Sequence, residues 1–237
     1  MSSSGQPVNK GRLLLREKLS SRAFERLLEI PHLECGQYPT PLLEMRRLRS
    51  HLGGGPRLFI KHDDMTGPGF GGNKVRKLEY LLAQALSDDV EVVITVGAVR
   101  SNHARITAML AARLGLRAIL VLNSSNGSGN ASSNGAASPE FLQSEPASSA
   151  LGKLFGAEIY HVATREERMP TMQAIANDLR FAGRRVLEIP LGASIPIGAL
   201  GYVRAAQEAA RQLAANEVQA SHFFHASSSG GTQAGLL

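Results

Sequence analysis

Two of the six lysines in this 237-residue chain, Lys74 and Lys77, stand three residues apart just behind a glycine-rich stretch, Gly69-Phe70-Gly71-Gly72-Asn73. That spacing puts both amines on one face of a helix, in its first turn, where the positive end of the backbone dipole disfavours cations. Two lysines placed there suggest an anionic ligand or a covalent role for an amine. Glycines let backbone approach a ligand closely, and Asn73 is a candidate N-cap for a helix continued by Leu78, Leu81, Leu82 and Ala85. The alternative is a glycine turn into an ordinary surface helix with solvated lysines.

Two further stretches have the same layout of apolar strand, short loop and helix start. Val96-Gly97-Ala98-Val99-Arg100-Ser101-Asn102-His103 would lie at the carboxyl end of a strand, where ligands bind in open α/β sheets, with free helix N–H groups facing them. Ser101 or Asn102 could equally serve only as the helix cap, and His103 by itself is uninformative. Ser228-Ser229-Gly230-Gly231-Thr232-Gln233-Ala234-Gly235 has the small residues and the hydroxyl that suit a phosphate cradle made of backbone amides. It matches neither common nucleotide-binding glycine fingerprint.

The elements that must position these groups alternate. Strands are expected at 57–61, 91–97, 117–122, 157–162, 184–189 and 222–226. Helices are expected at 73–87, 101–114, 166–181 and 198–214, with another starting near Gly231. Such alternation implies an α/β fold with largely parallel sheet, because parallel neighbours need crossover helices. Between residues 123 and 149 the pattern breaks: 16 of 27 positions are Ser, Gly or Asn, which have little to bury and much entropy to lose. We expect a mobile surface insertion there. Its N-x-S sequences at Asn123, Asn126 and Asn130 would matter only in a secreted protein.

Composition narrows the class. With 43% hydrophobic and 19% charged residues the chain can bury a substantial core, which excludes global disorder. The net charge of +6 comes mostly from dispersed Arg, with no basic block, no Trp and no nucleic-acid motif, so no nucleic-acid partner is expected. A lone cysteine, Cys35, can form neither an internal disulfide nor a thiolate zinc site, so no metal is expected and a reducing, cytoplasmic compartment is. No apolar run reaches the ~20 residues that span a bilayer, so no membrane partner is expected. Residues 1–24 carry Lys10, Arg12, Arg16, Lys18 and Arg22 against Glu17 alone, a weak match to an organelle transit peptide.

Four stretches, taken together and in order, resemble one family. They are Gly71-Gly72-Asn73-Lys74-Val75-Arg76-Lys77-Leu78-Glu79, Ser101-Asn102-His103, Ile189-Pro190 through Gly198-Ala199-Leu200-Gly201-Tyr202, and Gly230-Gly231-Thr232-Gln233-Ala234-Gly235. The set is similar to the D-cysteine desulfhydrase and 1-aminocyclopropane-1-carboxylate deaminase family of pyridoxal-phosphate enzymes, from about residue 30 onward. The resemblance implies the tryptophan synthase β-like fold (fold type II), with two open, twisted, mostly parallel sheets flanked by helices. It also implies a larger domain formed by 1–76 with 164–237, a smaller one formed by 77–163 carrying the insertion, and a homodimer when the larger domain is complete.

Carried over by residue, the resemblance makes Lys74 the lysine that holds pyridoxal 5'-phosphate as a Schiff base and moves protons at substrate carbons. Lys77 would contact the phosphate and Asn102 the ring hydroxyl. Ser101 would lie near the substrate carboxylate or act as a nucleophile in ring opening. Ser229, Gly230, Gly231 and Thr232 would form the phosphate cup. The substrate would be a small amino acid: D-cysteine, giving pyruvate, sulfide and ammonia, or 1-aminocyclopropane-1-carboxylate, giving 2-oxobutanoate and ammonia. Ser101-Asn102-His103 resembles the desulfhydrase pattern, the deaminase branch usually reading Ser-Asn-Gln. This chain departs from the family at His62, where Arg is usual, and in the 123–149 insertion. The family also continues beyond residue 237 with the pyridine-nitrogen partner and active-site tyrosines, so the larger domain is expected to be incomplete, and a catalytically inactive fragment is the competing reading.

Overall fold

A computed structural model describes residues 29–123 and 147–237, together with Arg22, Glu25 and Arg26. The chain divides into two compact units, Met1–Pro31 and His32–Leu237. In the first, Arg22, Glu25, Arg26 and Glu29 are helical. The transit-peptide reading of 1–24, Arg22 apart, and the insertion between 124 and 146 fall outside the described residues.

The second unit carries, in chain order, β1 (Leu42–Glu44), α1 (Arg46–His51), β2 (Phe59–Lys61), α2 (Lys74–Ser87), β3 (Val92–Ala98), α3 (Asn102–Arg113), β4 (Arg117–Asn123), α4 (Ala147–Leu154), β5 (Glu158–Val162), α5 (Arg168–Phe181), β6 (Val186–Ile189), α6 (Pro196–Ala215) and α7 (Gly231–Leu236). Strands β3 to β6 form one parallel sheet in the order β5-β4-β3-β6. β1 and β2 pair antiparallel. Each parallel connection passes through a helix, as the alternating pattern requires.

Side-chain alternation divides the core between the sheet's two faces. Val92, Ile94 and Val96 of β3 and Ile119 and Val121 of β4 pack with Met172 and Ala176 of α5. The intervening Val93, Ala118, Leu120 and Leu122 belong to the cluster formed by Leu78, Leu81 and Leu82 of α2 and Ile106 and Leu110 of α3. Burial on both faces is why β3 and β4 read as unbroken apolar runs rather than alternating ones. In a sheet ordered this way the chain steps from β3 to β4 on one side and returns to β6 on the other. The crevice beyond the carboxyl ends of β3 and β6 is therefore the place where a ligand is expected.

Helix α2, which carries both lysines, is locked in place by buried charges. Arg76 donates to Asp63 (2.8 Å) and Glu208 of α6 (3.0 Å), and Tyr202 donates to Asp63 (2.6 Å). Lys61 of β2 donates to the same Glu208. Burial alone would raise the Asp63 and Glu208 carboxyls; their bonds to Arg76 outweigh it and hold both below the usual range. Glu79, one turn on, accepts from the Cys35 and Gly36 amides at 2.9 and 2.8 Å. Close packing of α6 on α2 needs Gly201, because a Cβ there would run into the Arg76 carbonyl.

Two expectations are corrected. Residues 222–226 form no strand: they carry no regular structure and are exposed, with Phe224 89% accessible. A strand is held by its ladder, and no neighbour pairs with this stretch among the described residues. Among the described residues the parallel sheet is the four-stranded one, flanked by helices as expected, and β2 pairs antiparallel with β1. Residues 147–149 are helical rather than part of the insertion loop. In addition, β6 pairs with β3, although the expected division at 163/164 assigns them to different domains.

Candidate functional site

The loop before α2 is shaped by backbone that only glycine accommodates. Gly72 has φ 112°, and a Cβ there would lie 2.5 Å from Asn102 Nδ2. Its own N–H is held by Thr66 Oγ1 at 2.9 Å, so the turn into α2 is fixed against Asn102 at the start of α3.

Asn73 occupies the N-cap position of α2 but makes no side-chain cap bond, contrary to expectation. Its amide spans the cleft instead: Oδ1 accepts from Lys74 Nζ at 3.0 Å, and Nδ2 donates to Thr232 Oγ1 of α7 at 3.0 Å. Burial lowers the basicity of Lys74, which favours the neutral, nucleophilic amine.

Lys77 is fully buried. The atoms nearest its ammonium are the Gly192 carbonyl and Ser194 Oγ, both at 3.5 Å, and no carboxylate pairs with it among the described residues. Burial, and then the charge of Lys74, push its pKa down to about 8. Around it, the Ser194 and Ser229 hydroxyls are hydrogen-bonded to each other. At Gly231 a Cβ would sit 2.7 Å from Ser194 Oγ and 2.9 Å from Lys77 Nζ. An unneutralised buried cation ringed by hydroxyls, with a cradle a methyl group would fill, fits a bound anion.

The structure therefore brings Lys74, Lys77, Ser229, Gly231 and Thr232 together from two distant parts of the chain, with Asn102 facing Gly72. Gly230 supplies the left-handed turn into α7, φ 79°. Ser101 has a plainer role: its hydroxyl accepts from the Ala104 N–H at 3.2 Å and caps α3. His103 is buried, with Nε2 2.8 Å from Thr95 Oγ1, which in turn donates to the Ile189 carbonyl at 2.7 Å. Burial, and then the charges of Lys74 and Lys77, push its pKa down to about 3, so it is neutral at pH 7.

Sequence reasoning missed Gly192 and Ser194. Leu191-Gly192-Ala193-Ser194 follows β6 as a small-residue loop at a strand's carboxyl end, the same signal that flagged 228–231. It also missed Arg105, whose role depends on contacts invisible in sequence. Among the described residues no group of His, Cys, Asp and Glu could hold a metal ion. No helix among them is long and apolar enough to cross a membrane.

The residues fit pyridoxal phosphate on these structural grounds. Lys74 offers an amine of lowered basicity for an aldehyde, Lys77 and its hydroxyls suit a phosphate, and the Asn102 amide suits a ring oxygen. Residues 33–237 match the family described as "Pyridoxal-phosphate dependent enzyme". A Pyrococcus horikoshii protein provisionally named 1-aminocyclopropane-1-carboxylate deaminase is 42% identical over 217 residues, covering 91% of this chain and 60% of the relative. A D-cysteine desulfhydrase of Klebsiella pneumoniae is 38% identical over 216 residues, covering 90% of this chain and 61% of the relative. A crystal structure described as an ACC deaminase homologue superposes with a TM-score of 0.71 at 40% identity, covering 90% of this chain and 59% of that one. The fold is also that of a bacterial threonine deaminase, TM-score 0.61 at 24% identity, covering 83% of this chain and 53% of that one. The chain thus spans about 60% of the length of the curated relatives it matches. The match takes in both lysines and the loops that surround them, where the geometry asks for an aldehyde carrying a phosphate, and this chain belongs to the pyridoxal-phosphate-dependent enzyme family.

Proposed function

We propose that the chain supplies the lysine and phosphate grip of a D-cysteine desulfhydrase, acting in the cytoplasm and forming a homodimer when the larger domain is complete. The overall reaction takes D-cysteine and water to pyruvate, hydrogen sulfide and ammonia. The observation that carries the reading is the pairing of a half-buried and a fully buried amine with different surroundings: Lys74 held by an amide, Lys77 by hydroxyls and glycine backbone.

When bound, pyridoxal phosphate supplies an electron sink for charge developing at the substrate Cα. Lys74 would hold and move the Cα proton, a task that its burial-lowered basicity favours. Lys77, Ser194, Ser229 and the backbone around Gly231 would hold the phosphate of the cofactor. Asn73 ties Lys74 to Thr232, which couples the proton-moving amine to the phosphate end. Asn102 would donate its amide to the ring hydroxyl, and Ser101, which caps the same helix, would serve the substrate carboxylate.

Ser101-Asn102-His103 favours the desulfhydrase branch. A second reading, 1-aminocyclopropane-1-carboxylate deamination to 2-oxobutanoate and ammonia, is supported by the naming of the 42%-identical relative. The test is to load the purified chain with pyridoxal phosphate, record visible spectra of the wild type and Lys74→Ala, and assay sulfide and 2-oxo acid from both substrates. A visible band that requires Lys74, with sulfide and pyruvate from D-cysteine, supports the main reading. 2-Oxobutanoate from the cyclopropane substrate alone moves the assignment to the second. A band insensitive to Lys74→Ala overturns both.

A further inference from the structure

Arg105 of α3 is half-buried, and among the described residues no carboxylate pairs with it, although burial lowers its basicity. Its guanidinium is used in another way. Nε donates to the Gly69 carbonyl at 2.9 Å, and a terminal nitrogen donates to Asn102 Oδ1. The group also lies 5.9 Å from the centre of the Phe70 ring. One side chain thus joins the glycine loop ahead of Lys74 to the residue facing that loop across the cleft.

The chemistry of the two groups settles which way the amide points. Arginine has five donors and no acceptor, so the Asn102 atom it meets is the carbonyl oxygen. The Asn102 NH2 must then face away from Arg105, which agrees with Nδ2 being the atom nearest to where a Gly72 Cβ would stand. Freed from internal pairing, that NH2 presents only donors to the cleft. A charge-assisted bond at Oδ1 also withdraws electron density from the amide, which strengthens it as a donor to an anionic oxygen.

We propose that Arg105 is a positioning residue: it fixes the Asn102 amide in the orientation that donates to the deprotonated ring oxygen of pyridoxal phosphate, and holds the Gly69–Gly72 loop at the matching distance. The inference rests on the cofactor reading above. Loss of Arg105 lets the Asn102 amide flip, and the flipped amide presents an acceptor to an anionic oxygen.

The experiment is a double-mutant cycle on the cofactor-loaded chain with Arg105→Met, Asn102→Ala and both together. Cofactor dissociation constants are read by titration, and the pH dependence of the visible band is followed in each variant. Arg105→Met is expected to weaken cofactor binding about tenfold and to move the pH at which the band changes, while producing little further change in the Asn102→Ala background. Arg105→Lys, which keeps the charge but has a single donor nitrogen that cannot reach both partners, is expected to recover part of the loss. It carries the comparison if Arg105→Met does not fold. An Arg105 effect of equal size with and without Asn102, or a band whose pH dependence does not move, overturns the proposal while leaving the cofactor reading intact. A wild-type chain lacking any Lys74-dependent band overturns the cofactor reading and this proposal with it.

Discussion

Replacing Lys77 by methionine should make the cofactor-free chain more stable and the cofactor bind less well. Lys77 is fully buried, and its pKa is pushed from 10.5 to about 8 by burial and by Lys74. At about 1.4 kcal/mol per tenfold, that fall corresponds to roughly 3 kcal/mol by which the charged amine opposes folding below pH 8. The unfolded chain holds the Lys77 proton up to pH 10.5, whereas the folded chain gives it up near 8. The unfolded state therefore binds more protons in that window, and wild-type stability rises with pH across it. Methionine fills a similar volume without charge, so Lys77→Met should gain up to about 3 kcal/mol at pH 7 and lose the slope between pH 8 and 10.5. Hydrogen bonds to charged groups contribute about 1.5–3 kcal/mol, so cofactor affinity should fall about ten- to a hundredfold. Urea denaturation of the cofactor-free chain at pH 7 and pH 10, with cofactor titrations at pH 7, measures all three. A destabilised Lys77→Met chain with an unchanged pH slope would refute the view that Lys77 is an uncompensated charge waiting for an anion.

Two further outcomes follow from the same geometry. Gly231→Ala places a methyl group 2.7 Å from Ser194 Oγ and 2.9 Å from Lys77 Nζ; it should weaken cofactor binding at least about tenfold while costing only about 1–3 kcal/mol of stability, separable by titration and denaturation. Glu208→Gln removes the carboxylate shared by Arg76 and Lys61; it should cost about 3 kcal/mol, read as a lower urea midpoint with unchanged steepness.

Helices and strands with long periodic signals were legible. The apolar runs that became β3 and β4 and the spacing of Leu78, Leu81 and Leu82 on α2 identify their elements to within a residue or two. The short β1–α1 segment was not: six residues of helix and three of strand carry too little pattern to stand out. Residues 222–226 had the composition of a strand but found no ladder among the described residues, which shows that β propensity is realised only with a partner. At the site, Lys74, Lys77 and the 228–232 loop could be singled out because lysine, glycine and serine have few reasons to share a strand end. Arg105 could not, because a lone arginine inside a helix looks the same whether it meets solvent or an asparagine.

What the sequence determined by itself is local: where helices begin, which strand ends carry glycine, and which amines are close enough along one helix to act together. What tertiary structure decided is protonation and orientation. Lys77 loses basicity because β6, α7 and their loops close over it; Asn73 abandons its cap for Thr232, 159 residues away; and Asn102 points its NH2 into the cleft because Arg105 holds its other end. Each depends on dielectric and on groups met only after folding, since desolvation energies and hydrogen-bond partners are set by neighbours in space, not by neighbours in the chain.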